Sequence, residues 1–337
     1  MTREGVIGLA GFSDIAGHDR LKEYFRRCSR SGNTPHALIL SGEDGMGKMM
    51  LARAYAMSLL CENGNGCGTC RSCKQFLTDN HPDVIYVGHE KPASIGVDDV
   101  RDQLVATAQY PPYQGDRKIY IVDEAEKLTP QAQNALLKTI EEPPSYMMIM
   151  LLASHEESLL QTILSRCITL QLKPVPDSII IQFLIDKFGA DERTAGAAAA
   201  LARGNPGRAI ALFQSEEFTN MHAKTIELLK SIPDKPLYQL LSDLTDLKGE
   251  IDEVFETMKL WYRDVVIFKA TRDSNLLIFK DEKKAVMAAA DRISFNGLDE
   301  IQGAIEKAQV RLRSNVSFEL TAMLLLTTLQ EQSVMRK

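Results

Sequence analysis

A glycine-rich loop between an apolar run and a helical pattern constrains the fold of this chain more than any other feature. The run Ala37–Ser41 is followed directly by Gly42-Glu-Asp-Gly45-Met-Gly47-Lys48, and Lys48 opens a helical pattern. In this context, the backbone N–H groups of a Gly-x4-Gly-Lys loop surround phosphate oxygens, and the lysine neutralises their charge. A glycine-rich turn with a surface lysine is the alternative, and the flanking strand and helix disfavour it. The motif predicts a nucleotide-binding α/β fold, with Gly42, Gly45, Gly47 and Lys48 contacting phosphate.

Apolar runs recur through the first half of the chain and alternate with helical patterns. The other predicted strands are Val84–Gly88, Lys118–Asp123, Met147–Ala153 and Ile168–Leu172. The helical patterns include Lys48–Leu60, Val97–Gln109 and a segment from Thr129 to Glu142. In the last of these, Thr129 is a candidate cap and Pro130 takes the first helical position. This alternation predicts a doubly wound parallel sheet.

The strand signal stops after Leu172, and Lys173-Pro174-Val175-Pro176 is typical of a hinge between domains. Three helical patterns follow, which are Asp177–Phe188, Asp191–Arg203 and a short one after Asn205-Pro206. From Ser215 onward, apolar residues spaced by three and four predict roughly five more helices, ending in Thr321–Leu329. We therefore predict a sheet domain at 1–172, a small helical lid at 173–214 and an all-helical domain at 215–337.

The residue after Lys48 departs from the phosphate-loop pattern. A serine or threonine hydroxyl normally ligates Mg²⁺ there, whereas Met49 offers a thioether, which is a poor ligand for a hard cation. The strand Lys118–Asp123 ends in Asp123-Glu124, two carboxylates suited to holding the metal and polarising an attacking water. The alternative is that these two acids only lie at the N-terminus of a helix, where negative charge is favourable. Binding of ATP with Mg²⁺ stays open, and fast hydrolysis is not expected.

Four of the six cysteines lie within thirteen residues. These four are Cys61, Cys67, Cys70 and Cys73. Four thiolates at this spacing can close a tetrahedron around structural Zn²⁺, and the glycines between them let a short loop curl around one ion. An iron–sulfur cluster and a disulfide are chemical alternatives, which the lack of other electron-transfer signals and a cytosolic compartment disfavour. The nearby His81 is expected to be a surface or core histidine, and the isolated Cys28 and Cys167 are expected to be packed small residues.

Charge and hydropathy exclude two classes of protein. The net charge of −6 and the isoelectric point of about 5.6 argue against a chain that grips nucleic acid through a broad basic face. No stretch is apolar for the length that a bilayer requires. The N-terminal MTREGVIGLAGFSDIAG interrupts its apolar residues too often for a signal-peptide core. We expect a cytoplasmic protein whose DNA contacts are local or shared with partners.

The motifs, taken in order, resemble those of the clamp-loader AAA+ ATPases of bacteria. Besides the phosphate loop, Asp123-Glu124 and the cysteines, they include Asn134-Ala-Leu-Leu-Lys138-Thr-Ile-Glu-Glu-Pro-Pro144 and Ser165-Arg166-Cys167. The resemblance extends from Pro35-His36-Ala37 to Asn315-Val316, which is nearly the whole chain. It implies an AAA+ sheet and lid, followed by a helical collar that joins five subunits in a ring around the sliding clamp and primed DNA. The partners it implies are clamp-loader subunits of the gamma/tau and delta types.

The resemblance also assigns roles to two arginines. In this family the Ser-Arg-Cys arginine reaches into the ATP site of the adjacent subunit, which would make Arg166 an arginine finger. Spacing alone would leave Arg166 an ordinary surface residue. Arg208, in Gly204-Asn-Pro-Gly207-Arg208, matches the lid arginine that senses nucleotide phosphates, although its place at a helix start also permits a structural role.

Members of this family with decayed phosphate loops act as rigid stators in DNA replication, and Met49 agrees with that role. The resemblance thus implies a subunit of the replicative polymerase holoenzyme, without a polymerase active site and with weak or no ATPase of its own. An active gamma/tau-type ATPase and a zinc-containing DNA-binding module are alternatives. A small-molecule kinase is disfavoured, because the long helical C-terminal half carries no catalytic constellation.

Overall fold

The computed structural model describes residues 11–88 and 92–333. Residues 1–10 lie outside this range. They belong to the N-terminal segment that is not expected to be a signal peptide. Contacts divide the chain into two units, Met1–Pro176 with Asn205–Gly207, and Asp177–Gly204 with Arg208–Lys337. The division into three domains at residues 172 and 214 stays a prediction. Within the described ranges, none of the helices has both the length and the apolar composition that crossing a membrane requires.

A parallel sheet of five strands forms the centre of the first unit, in the order β2-β3-β4-β1-β5. The strands are β1 (Ala37–Ser41), β2 (Val84–Val87), β3 (Lys118–Val122), β4 (Met147–Ala153) and β5 (Ile168–Gln171). β1, β3 and β4 are buried along their whole length, as expected of apolar strands covered on both faces. β5 is an edge strand and is largely exposed. All five predicted strands are confirmed, with ends that agree within one residue.

The helices of the first unit follow the predicted alternation. They are α1 (Asp19–Ser31), α2 (Lys48–Leu60), α3 (Arg71–Leu77), α4 (Val97–Val100), α5 (Ala106–Ala108), α6 (Pro130–Glu141) and α7 (Gln161–Leu164). The helix expected at Val97–Gln109 is present, but its central part, Arg101–Val105, is π-helical. α6 starts as predicted, because the Thr129 hydroxyl accepts a hydrogen bond from the Ala132 amide at 3.2 Å.

Separate apolar cores cover the two faces of the sheet. On one face, Leu38 of β1 packs in a cluster with Phe25 of α1 and Tyr55 of α2, whose rings stack at 4.3 Å between centroids. On the other face, Ile39 of β1 belongs to a cluster with Leu136 of α6. Neighbouring β1 residues thus enter opposite cores, since side chains alternate along a strand. This packing fixes the position of α2, and with it the loop at its N-terminus.

The second unit is helical throughout its described part. Its helices are α8 (Asp177–Phe188), α9 (Glu192–Ala202), α10 (Pro206–Gln214, of which the first two residues belong to the first unit), α11 (Glu216–Ser231), α12 (Leu237–Thr245), α13 (Ile251–Thr271), α14 (Lys283–Arg292), α15 (Phe295–Arg313) and α16 (Phe318–Ser333). Six helices thus follow Ser215, where the sequence predicts roughly five. α15 begins after Ser294, whose hydroxyl accepts a hydrogen bond from the Gly297 amide at 3.0 Å. The expected α/β fold, a parallel sheet followed by helices, is confirmed.

Candidate functional site

The loop after β1 takes the conformation that its glycines allow. Gly45 and Gly47 have φ angles of 85° and 94°, in the left-handed region that residues with a side chain disfavour. Gly47 is the cap residue of α2, so the unpaired amides of the first turn of α2 follow directly. A loop of this shape at a helix N-terminus is suited to holding an anion such as a nucleotide phosphate.

Lys48 is already bonded inside the protein. Its buried ammonium donates to the Gly42 carbonyl, to Asp44 Oδ1 at 3.1 Å and to Ser154 Oγ at 3.3 Å. Ser154 follows β4 and donates to the same Asp44 carboxylate at 2.7 Å, and this hydrogen bond is the main cause that lowers the Asp44 pKa. Asp44 thus gives Lys48 an internal anion, which is the role that a phosphate has in an occupied loop.

The segment Asn205–Gly207 lies against the same loop. The Asn205 side-chain amide donates to the Asp44 carbonyl at 2.6 Å, and the Gly207 backbone amide donates to the Gly45 carbonyl at 2.9 Å. A Cβ atom on Gly207 would lie 2.7 Å from Gly45 Cα, so this close approach requires glycine. The sequence identified this segment only as the start of a helix, and its contact with the loop was not predicted.

The residues around the predicted metal position are arranged as follows. Met49 is partly buried and packs against the apolar cluster that contains Tyr55 of α2. Its side chain offers no oxygen ligand. Asp123 and Glu124 directly follow β3, and Glu124 pairs with Lys127 at 2.8 Å. Desolvation is the main cause that raises the Asp123 pKa, although the residue still reaches solvent. The two acids are thus present at the predicted place, while the hydroxyl ligand is not.

Arg166 lies between α7 and the edge strand β5, as the sequence predicts. Its Nε is 2.7 Å from Glu141 Oε1, and its Nη1 donates to the Thr162 carbonyl at 3.1 Å and to Ser165 Oγ at 3.2 Å. The side chain stays 39% exposed. The neighbouring Ile168 of β5 is also exposed. The Arg166 guanidinium is therefore bonded to groups of its own chain, and its side chain is still partly exposed to solvent.

Arg208 belongs to the second unit and lies in the first turns of α10. It lines a cavity of about 230 Å³ together with Arg203, Glu253, Gln309 and Arg313. The cavity carries acidic and basic groups together, so its lining alone does not select an anion. A nucleotide-sensing role for Arg208 stays a prediction.

The four clustered cysteines come together in space. The Sγ atoms of Cys61, Cys67, Cys70 and Cys73 all lie within 4.8 Å of one another. Sulfur ligands of tetrahedral Zn²⁺, with Zn–S bonds of about 2.3 Å, stand about 3.8 Å apart, so small shifts would close the site. Cys61 ends α2, and Cys70 caps α3, which contains Cys73. The group can hold a metal ion such as zinc.

Hydrogen bonds favour the thiolate forms of Cys61 and Cys67, whereas burial raises the pKa of the Cys73 thiol. The Cys67 amide donates to the Cys61 sulfur, and the Cys70 amide donates to the Cys67 sulfur, each at 3.4 Å. A hydrogen bond from the Thr69 hydroxyl is the main cause that lowers the Cys67 pKa to about 5. His81 is buried outside this group, where its Nε2 bonds Ser72 at 2.9 Å and its Nδ1 accepts from the Asp83 amide. His81 is therefore a core histidine, which is one of the two positions that the sequence left open.

Known proteins with similar sequences come from bacterial DNA replication. The family model described as DNA polymerase III, delta subunit, matches residues 17–176. The chain is 34% identical over 219 residues to the DNA polymerase III subunit delta' of Escherichia coli, in a match that covers 64% of this chain and 65% of that protein. It is 28% identical over 307 residues to the delta' subunit of Bacillus subtilis, covering 88% and 91%.

The chain also matches a second type of subunit. It is 35% identical over 176 residues to the DNA polymerase III subunit tau/gamma of Haemophilus influenzae, covering 51% of this chain. The matches span 65% of the Escherichia coli delta' and 25% of this tau/gamma subunit. The phosphate loop, the cysteines and Arg166 all lie within residues 17–176, the range that the family model matches.

Proposed function

Since the chain belongs to the family of DNA polymerase III delta prime subunits, we propose that it is a clamp-loader stator, which supplies Arg166 in trans to the ATP site of a neighbouring subunit. In this role it helps to load the sliding clamp onto primed DNA during replication. The observation that carries the proposal is the placement of Arg166, held by its own chain and yet exposed beside an edge strand.

The chemistry of Arg166 suits a site completed by two subunits. Guanidinium stays charged at any relevant pH and presents a planar fork of N–H donors to phosphate oxygens. An arginine supplied to a transferring phosphoryl group accelerates the reaction by about 10³ to 10⁵. The exposed edge of β5, next to Arg166, leaves backbone groups that a docking partner can pair.

The chain's own nucleotide site is proposed to bind ATP and Mg²⁺ weakly and to hydrolyse ATP slowly or not at all. Lys48 is bonded to Asp44 and Ser154, and a nucleotide phosphate would have to displace that carboxylate. Met49 cannot replace the hydroxyl ligand of Mg²⁺. The lid arginine Arg208 would then have a structural role in place of a sensing one.

The helical C-terminal part is proposed to be the collar that joins this subunit to others. On α16, Leu320, Met323 and Leu324 are each more than 40% exposed, and their spacing of three and four places them on one helix face. An apolar face of this kind is typical of a subunit interface. We assign residues 173–214 to the lid and 215–337 to the collar, with gamma/tau and delta subunits as partners in a hetero-pentameric ring.

The cysteine cluster is proposed to hold one structural Zn²⁺. All four ligands come from the protein, so no position stays open for catalysis. The ion would tie the end of α2 to the start of α3, and in this way stabilise the helix that begins in the phosphate loop.

The proposal is tested by replacing Arg166 in a reconstituted clamp loader. Arg166→Ala should depress DNA-dependent ATP turnover, while ATP binding by the isolated chain stays unchanged. Arg166→Lys keeps a charge but loses the fork, so it should restore only part of the rate. The matched control is Arg30→Ala, which removes an exposed arginine from α1. Normal turnover with Arg166→Ala would refute the finger assignment.

The second candidate is an active gamma/tau-type ATPase. The retained glycines, Lys48 and the Asp123-Glu124 pair favour it, as does the match to the tau/gamma subunit. ATP turnover by the isolated chain separates the two, because a stator should show almost none. A rate comparable to that of motor ATPases would replace the stator proposal with this one.

A further inference from the structure

Glu141 and Arg166 form an ion pair between two elements of the first unit. Glu141 is the last residue of α6, and Arg166 precedes β5. Their Oε1 and Nε atoms are 2.7 Å apart, and both side chains are partly exposed. Nothing in the sequence pattern pairs these two residues, and the pair lies at the arginine that the proposed function uses.

The Glu141 carboxylate contacts the Nε side of the Arg166 guanidinium and does not contact Nη2. Nε faces Glu141, while Nη1 donates to the Thr162 carbonyl and to Ser165 Oγ. Within residues 11–88 and 92–333, Nη2 makes no hydrogen bond or ion pair. Two of the three guanidinium nitrogens thus have partners inside the chain, and the side chain as a whole stays 39% exposed.

Helix stability does not explain an acid at this position. The C-terminus of a helix carries partial negative charge, which disfavours a carboxylate in the last turn. Glu141 ends α6, and Glu142 follows it as the cap residue, so two acids stand at the unfavourable end. The compensating charge for Glu141 comes from Arg166, which lies outside the helix.

We infer that Glu141 is a positioning residue, which holds the Arg166 guanidinium through Nε so that Nη2 faces the phosphate in the neighbouring subunit's ATP site. This inference rests on the proposed trans role of Arg166. A free arginine side chain samples many rotamers, and ordering it in the transition state costs entropy. If the side chain is ordered before the partner binds, the activation free energy no longer includes this cost. Glu141 does not touch the reacting atoms and acts only through Arg166.

The first experiment measures the pair in the isolated chain, where no partner is needed. Nitrogen-15 NMR of arginine side chains reports how fast the Arg166 Nε proton exchanges with water. Glu141→Ala should accelerate this exchange at least about threefold, because removing the carboxylate that lies 2.7 Å from Nε opens this N–H to solvent. Glu142→Ala, which removes the adjacent acid, is the matched control and should not change it. Unchanged exchange with Glu141→Ala would overturn the inference.

The second experiment measures DNA-dependent ATP turnover of the reconstituted loader. Glu141→Ala should lower kcat by about threefold to thirtyfold with little change in KM, because positioning of the finger matters in the transition state. Glu141→Gln keeps an oxygen acceptor for Nε and should restore most of the rate. In the Arg166→Ala background, Glu141→Ala should have no further effect.

The outcomes separate the inference from the function on which it rests. If Arg166→Ala lowers kcat and Glu141→Ala does not, the inference is wrong and the proposed function stands. If Glu141→Ala lowers kcat equally with and without Arg166, Glu141 acts by another route, and the inference is again wrong. If Arg166→Ala itself leaves turnover unchanged, the proposed function fails, and the positioning role fails with it.

Discussion

The backbone amide of Gly207 donates a 2.9 Å hydrogen bond to the carbonyl oxygen of Gly45 in the phosphate loop. Asn205 adds a side-chain bond to the neighbouring Asp44 carbonyl. The loop is therefore held by the protein itself, and its lysine is already bonded to Asp44. These internal contacts support the proposal that this subunit is a fixed support for its neighbours.

Gly207→Ala is expected to destabilise the chain. Its Cβ would lie 2.7 Å from both Cα and the carbonyl oxygen of Gly45, so the segment must move away from the loop. Overpacking of this kind costs about 1–3 kcal/mol of unfolding free energy. The control is Gly303→Ala in α15, where no atom lies within 4 Å of the new Cβ, and where alanine should add about 0.5–1 kcal/mol. Chemical denaturation measures both, and a stabilising effect of Gly207→Ala would contradict the close contact.

Met49→Thr is expected to strengthen binding of Mg²⁺-nucleotide to the isolated chain. The new hydroxyl supplies the oxygen ligand that the metal prefers, with an expected gain on the order of 10-fold in affinity. Affinity for nucleotide in the presence of a chelator should not change. Met50→Thr, one residue further along α2, is the control and should give no gain. If both variants bind alike, Met49 is not the defect of this site.

The cysteine cluster should bind about one zinc ion per chain, which elemental analysis of the purified protein measures. Cys73→Ser removes a ligand, so the zinc content should fall below about 0.3 per chain, and the free energy of unfolding should fall with it. Cys28→Ser, which changes a buried cysteine outside the cluster, should keep the metal. Finding iron, or no metal in the unaltered chain, would refute the assignment.

Several features were predictable because their signals are local. The glycines of the loop, the Thr129 cap and the close spacing from Cys61 to Cys73 each specify a structure within a few residues. The buried strands are continuous apolar runs, which have no other stable place than a covered sheet. The fold class and the composition of the cysteine site could therefore be predicted from the sequence.

Contacts between distant segments could not be predicted in this way. The pairs Glu141–Arg166 and Asp44–Ser154 join polar side chains that are 25 and 110 residues apart, and such pairs leave no periodic signal in the sequence. The number of helices after Ser215 was predicted only roughly, because apolar residues spaced by three and four do not mark where one helix ends and the next begins. Likewise, the π-helical turn at Arg101–Val105 has no composition that distinguishes it from an α-helix.

Buried His222 should make the second unit sensitive to acid. Its ring stacks on Phe279 at 5.7 Å, and its Nε2 has no hydrogen-bond partner in the described part of the chain. Burial lowers the His222 pKa to about 4. Because the unfolded chain takes up the proton from about pH 6.5 downward, the stability that this residue contributes is complete above that pH and is lost as the pH falls towards 4.

The change to test is His222→Phe, which keeps an aromatic ring and removes the titration. Between pH 7.5 and pH 5, the unaltered chain should lose about 2 kcal/mol more unfolding free energy than this variant. His36→Phe, at an exposed histidine, should retain the pH dependence of the unaltered chain. Equal pH dependence for the unaltered chain and His222→Phe would show that His222 does not cause the loss.

In the proposed function, this chain gives an arginine to its neighbour and does not act as a motor itself. DNA-dependent ATP turnover tests this directly in reconstituted loaders that carry either Arg166→Ala or Lys48→Ala in this subunit alone. We expect a loss of about tenfold or more with Arg166→Ala, because the neighbouring site loses its finger. Turnover with Lys48→Ala should stay within about twofold of normal, since Met49 already deprives this loop of a metal ligand. The opposite pattern, a large loss with Lys48→Ala and normal turnover with Arg166→Ala, would refute the stator function.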